Sequence, residues 1–147
     1  MYQHILVPLD GSANSNQALQ EAIELSRVFG AKLTLLTVVN NSNWIAASGS
    51  IATDITKDYR ERAERLLAQG RAITDKAGIQ TTSVIKTGIP KNVIVDYCQS
   101  EDIDLIVIGK SGADAINRLL IGSTTAYVVR HATVRVLVVN AQEDPEA

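Results

Sequence analysis

Short apolar runs alternate along the chain with segments whose apolar residues recur at helical spacing. Continuous apolar runs of five to seven residues are typical of strands that are buried on both faces of a parallel sheet. The third run is weaker, which favours a place at the sheet edge. The pattern therefore predicts five strands, at His4–Leu9, Leu33–Val39, Thr82–Lys86, Ile103–Ile108 and Val134–Val139.

Four helices are predicted between these strands. The first ends at Gly30, a C-cap candidate, and the long second helix ends at Gly78. Gly70 falls on the apolar face of that second helix, which predicts close approach to the sheet. Two shorter helices are predicted to begin near Pro90 and after Gly122.

The composition of the remaining segments predicts a loop and a C-terminal tail. Residues 40–54 are rich in Asn, Ser, Ala and Gly around Trp44, and are predicted to form a mobile surface loop. A chain of 147 residues fits one domain, predicted at 1–140, with a frayed acidic C-terminal tail at 141–147.

Strands that alternate with helices predict an α/β fold with right-handed crossovers. Five strands allow the orders 3-2-1-4-5 and 2-1-3-4-5, and ligands bind beyond the carboxyl ends of the strands at the switch point. The turn clusters Asp10–Ser12 and Gly109–Gly112 follow strands 1 and 4, so they face one crevice only in the first order. We therefore predict a single-domain, Rossmann-like, open parallel five-stranded sheet of order 3-2-1-4-5 with helices on both faces.

Overall composition narrows the function classes. A net charge of −2 argues against general nucleic-acid binding, and the single cysteine, Cys98, excludes a disulfide or a cysteine-based zinc site within one chain. We find no signal-peptide pattern and no apolar run near the ~20 residues that span a bilayer. The expectation is a cytoplasmic protein that binds neither nucleic acid nor membrane.

The most informative segment has the pattern Gly109-x2-Gly112-x9-Gly122-Ser123. It lies between a predicted strand and a helix N-terminus, where backbone N–H groups are unpaired and the helix dipole is positive, so it predicts a phosphate site. Glycine permits close backbone approach or positive φ. Neither the Gly-x-Gly-x-x-Gly dinucleotide fingerprint nor the Gly-x4-Gly-Lys-Ser/Thr loop fits the segment.

The hydroxyls and the loop residues have alternative roles. Ser123 and Thr124 can cap the helix or contact phosphate, since both roles use the same N–H groups. Lys110 and Ser111 lie inside the glycine loop, where the backbone matters more than either side chain.

Two further positions are ambiguous. Asp10 either closes a turn or hydrogen-bonds a ribose hydroxyl or an adenine edge. Val38 is either core or offers its backbone to an adenine edge.

The carboxylates Glu101, Asp102 and Asp104 are expected to face solvent. His4 and His131 are interpreted as structural, because neither lies near a second candidate ligand or catalytic group in the sequence.

Together these segments resemble the ATP-binding branch of the universal stress protein family. The likeness covers almost the whole chain except the loop after strand 2 and the tail, and the Gly-x2-Gly-x9-Gly-Ser/Thr motif of that branch is present in full. The matching segments are Ile5–Ser12, Gly30–Val39, Gly88–Pro90, Asp104–Gly109, Arg118–Ser123, Arg130-His131 and Val136–Val139.

The resemblance implies ATP, or ADP or AMP, at the switch point of a homodimer. Pro8, Leu9 and Asp10 would line the adenosine, and the backbone of Val38 would meet adenine. The loop that includes Gly109, Lys110, Ser111, Gly112 and Ala113 would wrap ribose and phosphates, and Gly122, Ser123 and Thr124 would hold the phosphate tail. Dimers of the family commonly pair the last strand, here Val134–Val139.

The chain departs from the family in two places. The family often has Cys-Pro before the last strand, where this chain has Thr133-Val134, so the dimer edge is less defined. A cation two residues after the first glycine is also common, whereas here Lys110 is one residue earlier, which leaves a cationic phosphate contact open.

The sequence features bear on three classes of function. The favoured one is a stress-response or signalling module that binds ATP, passes its state to a protein partner and is not an enzyme, since no general base is evident. The alternative is a slow ATPase or a nucleotidyl or phosphoryl transferase, which would need Mg²⁺ with Asp10 or Asp114 as candidate ligands. A plain interaction protein is disfavoured by the intact glycine–serine pattern.

Overall fold

The five strands form one parallel sheet in the order β3-β2-β1-β4-β5, which confirms the predicted fold. A computed structural model describes residues 1–41, 50–112 and 120–141 of the chain. The strands are β1 His4–Pro8, β2 Lys32–Asn40, β3 Thr81–Gly88, β4 Leu105–Gly109 and β5 Arg135–Val139. β3 is an edge strand, as its weak apolar pattern predicted.

Two helices cover each face of the sheet. The helices are α1 Ala13–Phe29, α2 Ser50–Lys76, α3 Pro90–Ser100 and α4 Ser123–His131. The core between α1, α2 and the sheet holds Leu19 and Leu67, and the core on the opposite face holds Ile94 and Val128. This two-sided burial explains why the strands are continuously apolar rather than alternating.

The central strand β1 shows how one sequence serves both cores. Ile5 and Val7 belong to the core under α1 and α2, while Leu6 belongs to the core under α3 and α4. Successive side chains point to opposite faces of a strand, so all three become fully buried. The strand is thereby held in the middle of the sheet, and the turn that follows it opens at the switch point.

Two glycine predictions are confirmed. Gly30 is the C-cap of α1 with φ 69°, and its N–H donates to the carbonyl of Ser26 at 2.8 Å. Gly70 lies against the sheet, where a Cβ would stand 3.0 Å from Leu9 Cδ1 and 3.1 Å from Leu35 Cδ1. Helix α2 therefore packs closely on Leu35 of β2 and on Leu9, which follows β1.

The predicted length of the loop after β2 is wrong. The predicted loop at 40–54 is too long, since Asn40 ends β2 and residues 50–54 already belong to α2. Trp44 lies outside the described residues, as does the predicted tail beyond Ala141.

Asp104 does not simply face solvent. Its carboxylate accepts from the backbone N–H groups of Gln3 at 2.8 Å and His4 at 3.2 Å. This pair of hydrogen bonds fixes the start of β4 beside the start of β1. Within the described part of the chain, every helix is too short or too polar to cross a membrane.

Candidate functional site

A cleft of about 550 Å³ opens at the carboxyl ends of β1 and β4, between the N-termini of α1 and α4. Such a volume lies within the range of small-molecule sites. The residues predicted from the sequence that line it are Pro8, Leu9, Asp10, Val38, Gly109, Ser111, Gly112, Gly122, Ser123 and Thr124.

Two predicted site residues stand apart from this set. Lys110 does not line the cleft; its backbone N–H donates to the carbonyl of Val139 at 2.8 Å, and its carbonyl accepts from Gly122. Ala113 lies outside the described residues. Lys110 therefore connects the loop to β5 and to Gly122 through its backbone.

One wall of the cleft is apolar and was not predicted from the sequence. It is contributed by residues of β2, α3 and β4: Leu36, Pro90, Ile94 and Ile108. These residues look like ordinary core positions in the sequence. Only the packing of the N-terminus of α3 beside the ends of β2 and β4 brings them to the cleft.

At the N-terminus of α1, side chains accept from two backbone N–H groups. Ser12 is the N-cap, and its side chain accepts from the N–H of Ser15 at 3.1 Å. Oδ1 of Asp10 accepts from the N–H of Ser12 at 2.9 Å, so Asp10 does close the turn. The second carboxylate oxygen of Asp10 lies against Gly112 on the opposite side of the crevice.

The N-terminus of α4 is different. Its N-cap is Gly122, which makes no side-chain cap hydrogen bond, so Ser123 and Thr124 do not take the capping role that was one of their two alternatives. Both hydroxyl residues instead stand in the first turn and line the cleft. Uncapped N–H groups and the positive end of the helix dipole are therefore presented to the cleft.

Thr125 fixes the position of this helix end, and sequence reasoning did not identify it as a site residue. Its buried hydroxyl donates to the carbonyl of Gly109 at 2.7 Å. Gly122 is held in turn by the hydrogen bond from its N–H to the carbonyl of Lys110 at 2.9 Å. The first turn of α4 is thus bound directly to the end of β4.

The three glycines of the motif are required by close approach rather than by positive φ. None of them is among the described glycines with positive φ. A Cβ would stand 2.8 Å from the backbone of Asn14 at Gly109, 2.7 Å from Asp10 Oδ2 at Gly112, and 3.1 Å from Ser111 Cα at Gly122. Any side chain there would displace a neighbouring part of the cleft.

The charge of the cleft is simple. Asp10 is the one charged residue among the described residues that line it. In the described ranges, no group of three or more His, Cys, Asp and Glu side chains could hold a metal ion. Asp114 and Arg118 lie in 113–119, outside those ranges.

His4 and Cys98 have shifted pKa values and lie away from the cleft. Nε2 of His4 is 2.6 Å from Oγ1 of Thr34, and burial, followed by the charge of Lys32, lowers the pKa of this imidazole. Cys98 is buried in the core under α3, where burial raises the pKa of its thiol. Neither residue lines the cleft.

The structure is that of a Rossmann-like α/β protein with a cleft at the switch point of the sheet. The model of the universal stress protein family matches residues 1–140. A protein of Staphylococcus haemolyticus whose name carries that of the family is 32% identical over 147 residues, which is 99% of this chain and 88% of the relative. The chain therefore belongs to the universal stress protein family.

Solved structures agree with this assignment. The universal stress protein UspA from Lactobacillus plantarum is 33% identical with a TM-score of 0.84, covering 94% of this chain and 97% of that one. A universal stress protein in complex with cAMP is 26% identical with a TM-score of 0.75, covering 96% and 99% of the two chains.

Proposed function

We propose that the cleft binds an adenine nucleotide, ATP first and ADP or AMP as the alternatives. The protein would then act as a cytoplasmic, nucleotide-dependent stress-response module, assembled as a homodimer. The observation that carries the proposal is the uncapped N-terminus of α4, which faces the same cleft as the carboxylate of Asp10. A phosphate chain and a ribose need those two chemistries within one site.

The lining of the cleft offers separate contacts for the base, the sugar and the phosphates of a nucleotide. The apolar wall of Leu36, Ile94 and Ile108 offers a surface for a base, and Val38 lies beside it at the end of β2. Phosphates would lie at the first turn of α4, where N–H groups and hydroxyls serve as donors. Asp10 would contact the neutral sugar or base, because its negative charge would repel the phosphates.

A solved relative supports a nucleotide as the ligand. The universal stress protein in complex with cAMP shares the fold over nearly the whole of both chains. That ligand contains adenine, ribose and one phosphate. The relative therefore supports an adenine nucleotide as the class of ligand. The number of phosphates, three in ATP, is proposed from the cleft of this chain.

Little or no turnover is expected. The described lining holds no histidine, and its one carboxylate already accepts from the N–H of Ser12. Hydrolysis of a phosphate chain requires a positioned water and, in most systems, a metal ion that neutralises charge. We therefore favour binding over catalysis, with Mg²⁺ entering, where present, with the nucleotide.

The proposal is tested by identifying the ligand and by dissecting its contacts. Mass spectrometry of protein purified without added nucleotide reports the bound species, and calorimetry with ATP, ADP and AMP ranks their affinities. Asp10→Ala should weaken ATP much more than tripolyphosphate. Asp96→Ala, at an exposed position on α3, is the matched control.

Asp10→Asn separates the two roles of Asp10. It keeps an oxygen that can accept from Ser12 and removes the charge, so a turn role alone would leave ATP affinity unchanged. Equal losses for ATP and tripolyphosphate would make Asp10 structural. The absence of binding by all three nucleotides would refute the proposed function.

A further inference from the structure

Asn14 connects two distant parts of the chain through one side chain. Its Nδ2 donates to the carbonyl of Ser111 at 3.2 Å and lies 2.9 Å from Oγ of the same residue. Its Oδ1 accepts from the backbone N–H of Ala141 at 2.7 Å. Ser111 lines the cleft, whereas Ala141 follows the edge strand β5.

The orientation of this amide is fixed by its partners. The N–H of Ala141 can only donate, so it must face Oδ1, and the carbonyl of Ser111 can only accept, so it must face Nδ2. The amide plane is rigid, and a rotation that follows Ser111 also moves Oδ1 relative to Ala141. Both ends of the connection therefore change together.

The backbone of Asn14 cannot absorb such a movement. A Cβ on Gly109 would stand 2.8 Å from both the carbonyl carbon and Cβ of Asn14, so the first turn of α1 is packed directly on the end of β4. A movement of Ser111 is therefore transmitted to the side-chain amide of Asn14 and not to its backbone. Asn14 itself does not line the cleft.

We propose that Asn14 is a positioning residue that couples Ser111 in the cleft to Ala141, which follows β5. A ligand that fixes the position of Ser111 would thereby fix the position of Ala141, close to the sheet edge. This inference rests on the proposed nucleotide site only for the identity of the ligand; the connection through Asn14 stands on its own hydrogen bonds. Coupling of this kind works in both directions and typically amounts to about fivefold or more.

The first test measures amide hydrogen exchange at Ala141 with and without saturating ATP. In the wild type, ATP should slow this exchange about fivefold or more. In Asn14→Ala the exchange should be fast in both states, although calorimetry still detects ATP binding. Asn14→Asp keeps an acceptor for Ala141 and loses the donor to the Ser111 carbonyl, but its second oxygen can still accept from the Ser111 hydroxyl, so Ala141 should stay protected and its response to ATP should weaken.

Asn16→Ala is the matched control, because Asn16 is exposed on the same helix. It should respond to ATP as the wild type does. An exchange rate at Ala141 that ATP leaves unchanged or raises in the wild type would overturn the proposal. A response that persists in Asn14→Ala would also overturn it.

A second arm needs no nucleotide, so it separates this inference from the proposed function. Gly122→Ala places a Cβ 3.1 Å from Cα of Ser111 and should displace the loop. The substitution should raise Ala141 exchange in the wild-type background and have no further effect in Asn14→Ala. If ATP does not bind, the proposed function fails, and the comparison of Gly122→Ala in the two backgrounds alone tests the coupling. The coupling is refuted if Gly122→Ala changes Ala141 exchange equally with and without Asn14, or changes it in neither background.

Discussion

The carboxylate of Asp10 lies directly against Gly112, such that a Cβ on the glycine would stand 2.7 Å from Asp10 Oδ2. This contact brings the turn after β1 and the loop after β4 together across the switch point. Glycine is required at 112 by the space that Asp10 occupies and not by backbone conformation, since Gly112 has no positive φ. A change at either residue is therefore expected to affect the other.

Gly112→Ala should act by displacing Asp10. The contacted atom is the end of an exposed side chain, which can rotate away at small cost to the free energy of unfolding. We expect ATP affinity to fall about tenfold or more, comparable to losing one hydrogen bond to a charged group. Calorimetry on Gly112→Ala, Asp10→Ala and the double variant should give similar affinities for all three, whereas additive losses would show that the residues act independently.

Thr124 and Thr125 should separate ligand binding from stability. Thr125→Val leaves the carbonyl of Gly109 without its buried donor, which should cost about 1–3 kcal/mol in the free energy of unfolding. Thr124→Val alters the cleft lining and should reduce ATP affinity with little change in stability. Urea unfolding and calorimetry on both variants check this, and it fails if the two substitutions have the same profile.

The sheet order could be predicted from the sequence because the candidate ligand-binding residues lie in short turns directly after two of the predicted strands. Asp10–Ser12 and Gly109–Gly112 each follow an apolar run, and only one common topology places both turns at one crevice. Gly30 and Gly70 were likewise assigned correctly, since a C-cap and a gap in an apolar helical face are visible in a short window. Such features need no knowledge of distant contacts.

The missed features depend on residues far apart in the chain. Asn14 contacts Ser111 and Ala141, and Asp104 binds the N–H groups of Gln3 and His4. No local pattern marks either contact. The early start of α2 at Ser50 was missed because Ser, Ala and Thr around it are equally compatible with a loop.

His4 should make stability depend on pH. Burial, followed by the charge of Lys32, lowers the pKa of His4 in the folded protein, against smaller opposing effects led by Asp104. As pH falls below about 6.5, the unfolded chain binds a proton more readily than the folded one, so stability is lost until pH passes the lowered folded pKa. Above that window the stabilisation is fully present.

His4→Gln removes this titration and keeps a polar partner for Thr34. Chemical denaturation at about pH 7.5 and about pH 5 should show a smaller loss of stability in His4→Gln than in the wild type. Gln20→Ala, at an exposed position on α1, serves as the control and should follow the wild type. Identical pH dependence in all three proteins would exclude His4 as the source.

The open edge of β5 should mediate a two-fold dimer. β5 is the last strand of the sheet and is apolar except for Arg135, and an unpaired apolar edge invites pairing with another chain. A symmetric contact between two copies of the strand closes on itself, whereas a head-to-tail contact can propagate. We therefore expect strand-to-strand pairing across the two-fold axis.

The backbone directions of β5 define a sharp test. The carbonyl of Val139 accepts from the N–H of Lys110, so the backbone polar groups of Val139 point toward β4. These groups alternate in direction along a strand, so those of Leu137 also point toward β4, and those of Val136 point toward the open edge. Val136→Pro should yield a folded monomer, because it removes a donor only from the outer side. Leu137→Pro should instead damage the β4–β5 ladder and lower stability. Light scattering at micromolar concentration with circular dichroism distinguishes these outcomes; a monomeric wild type, or a dimer that survives Val136→Pro, would exclude this interface.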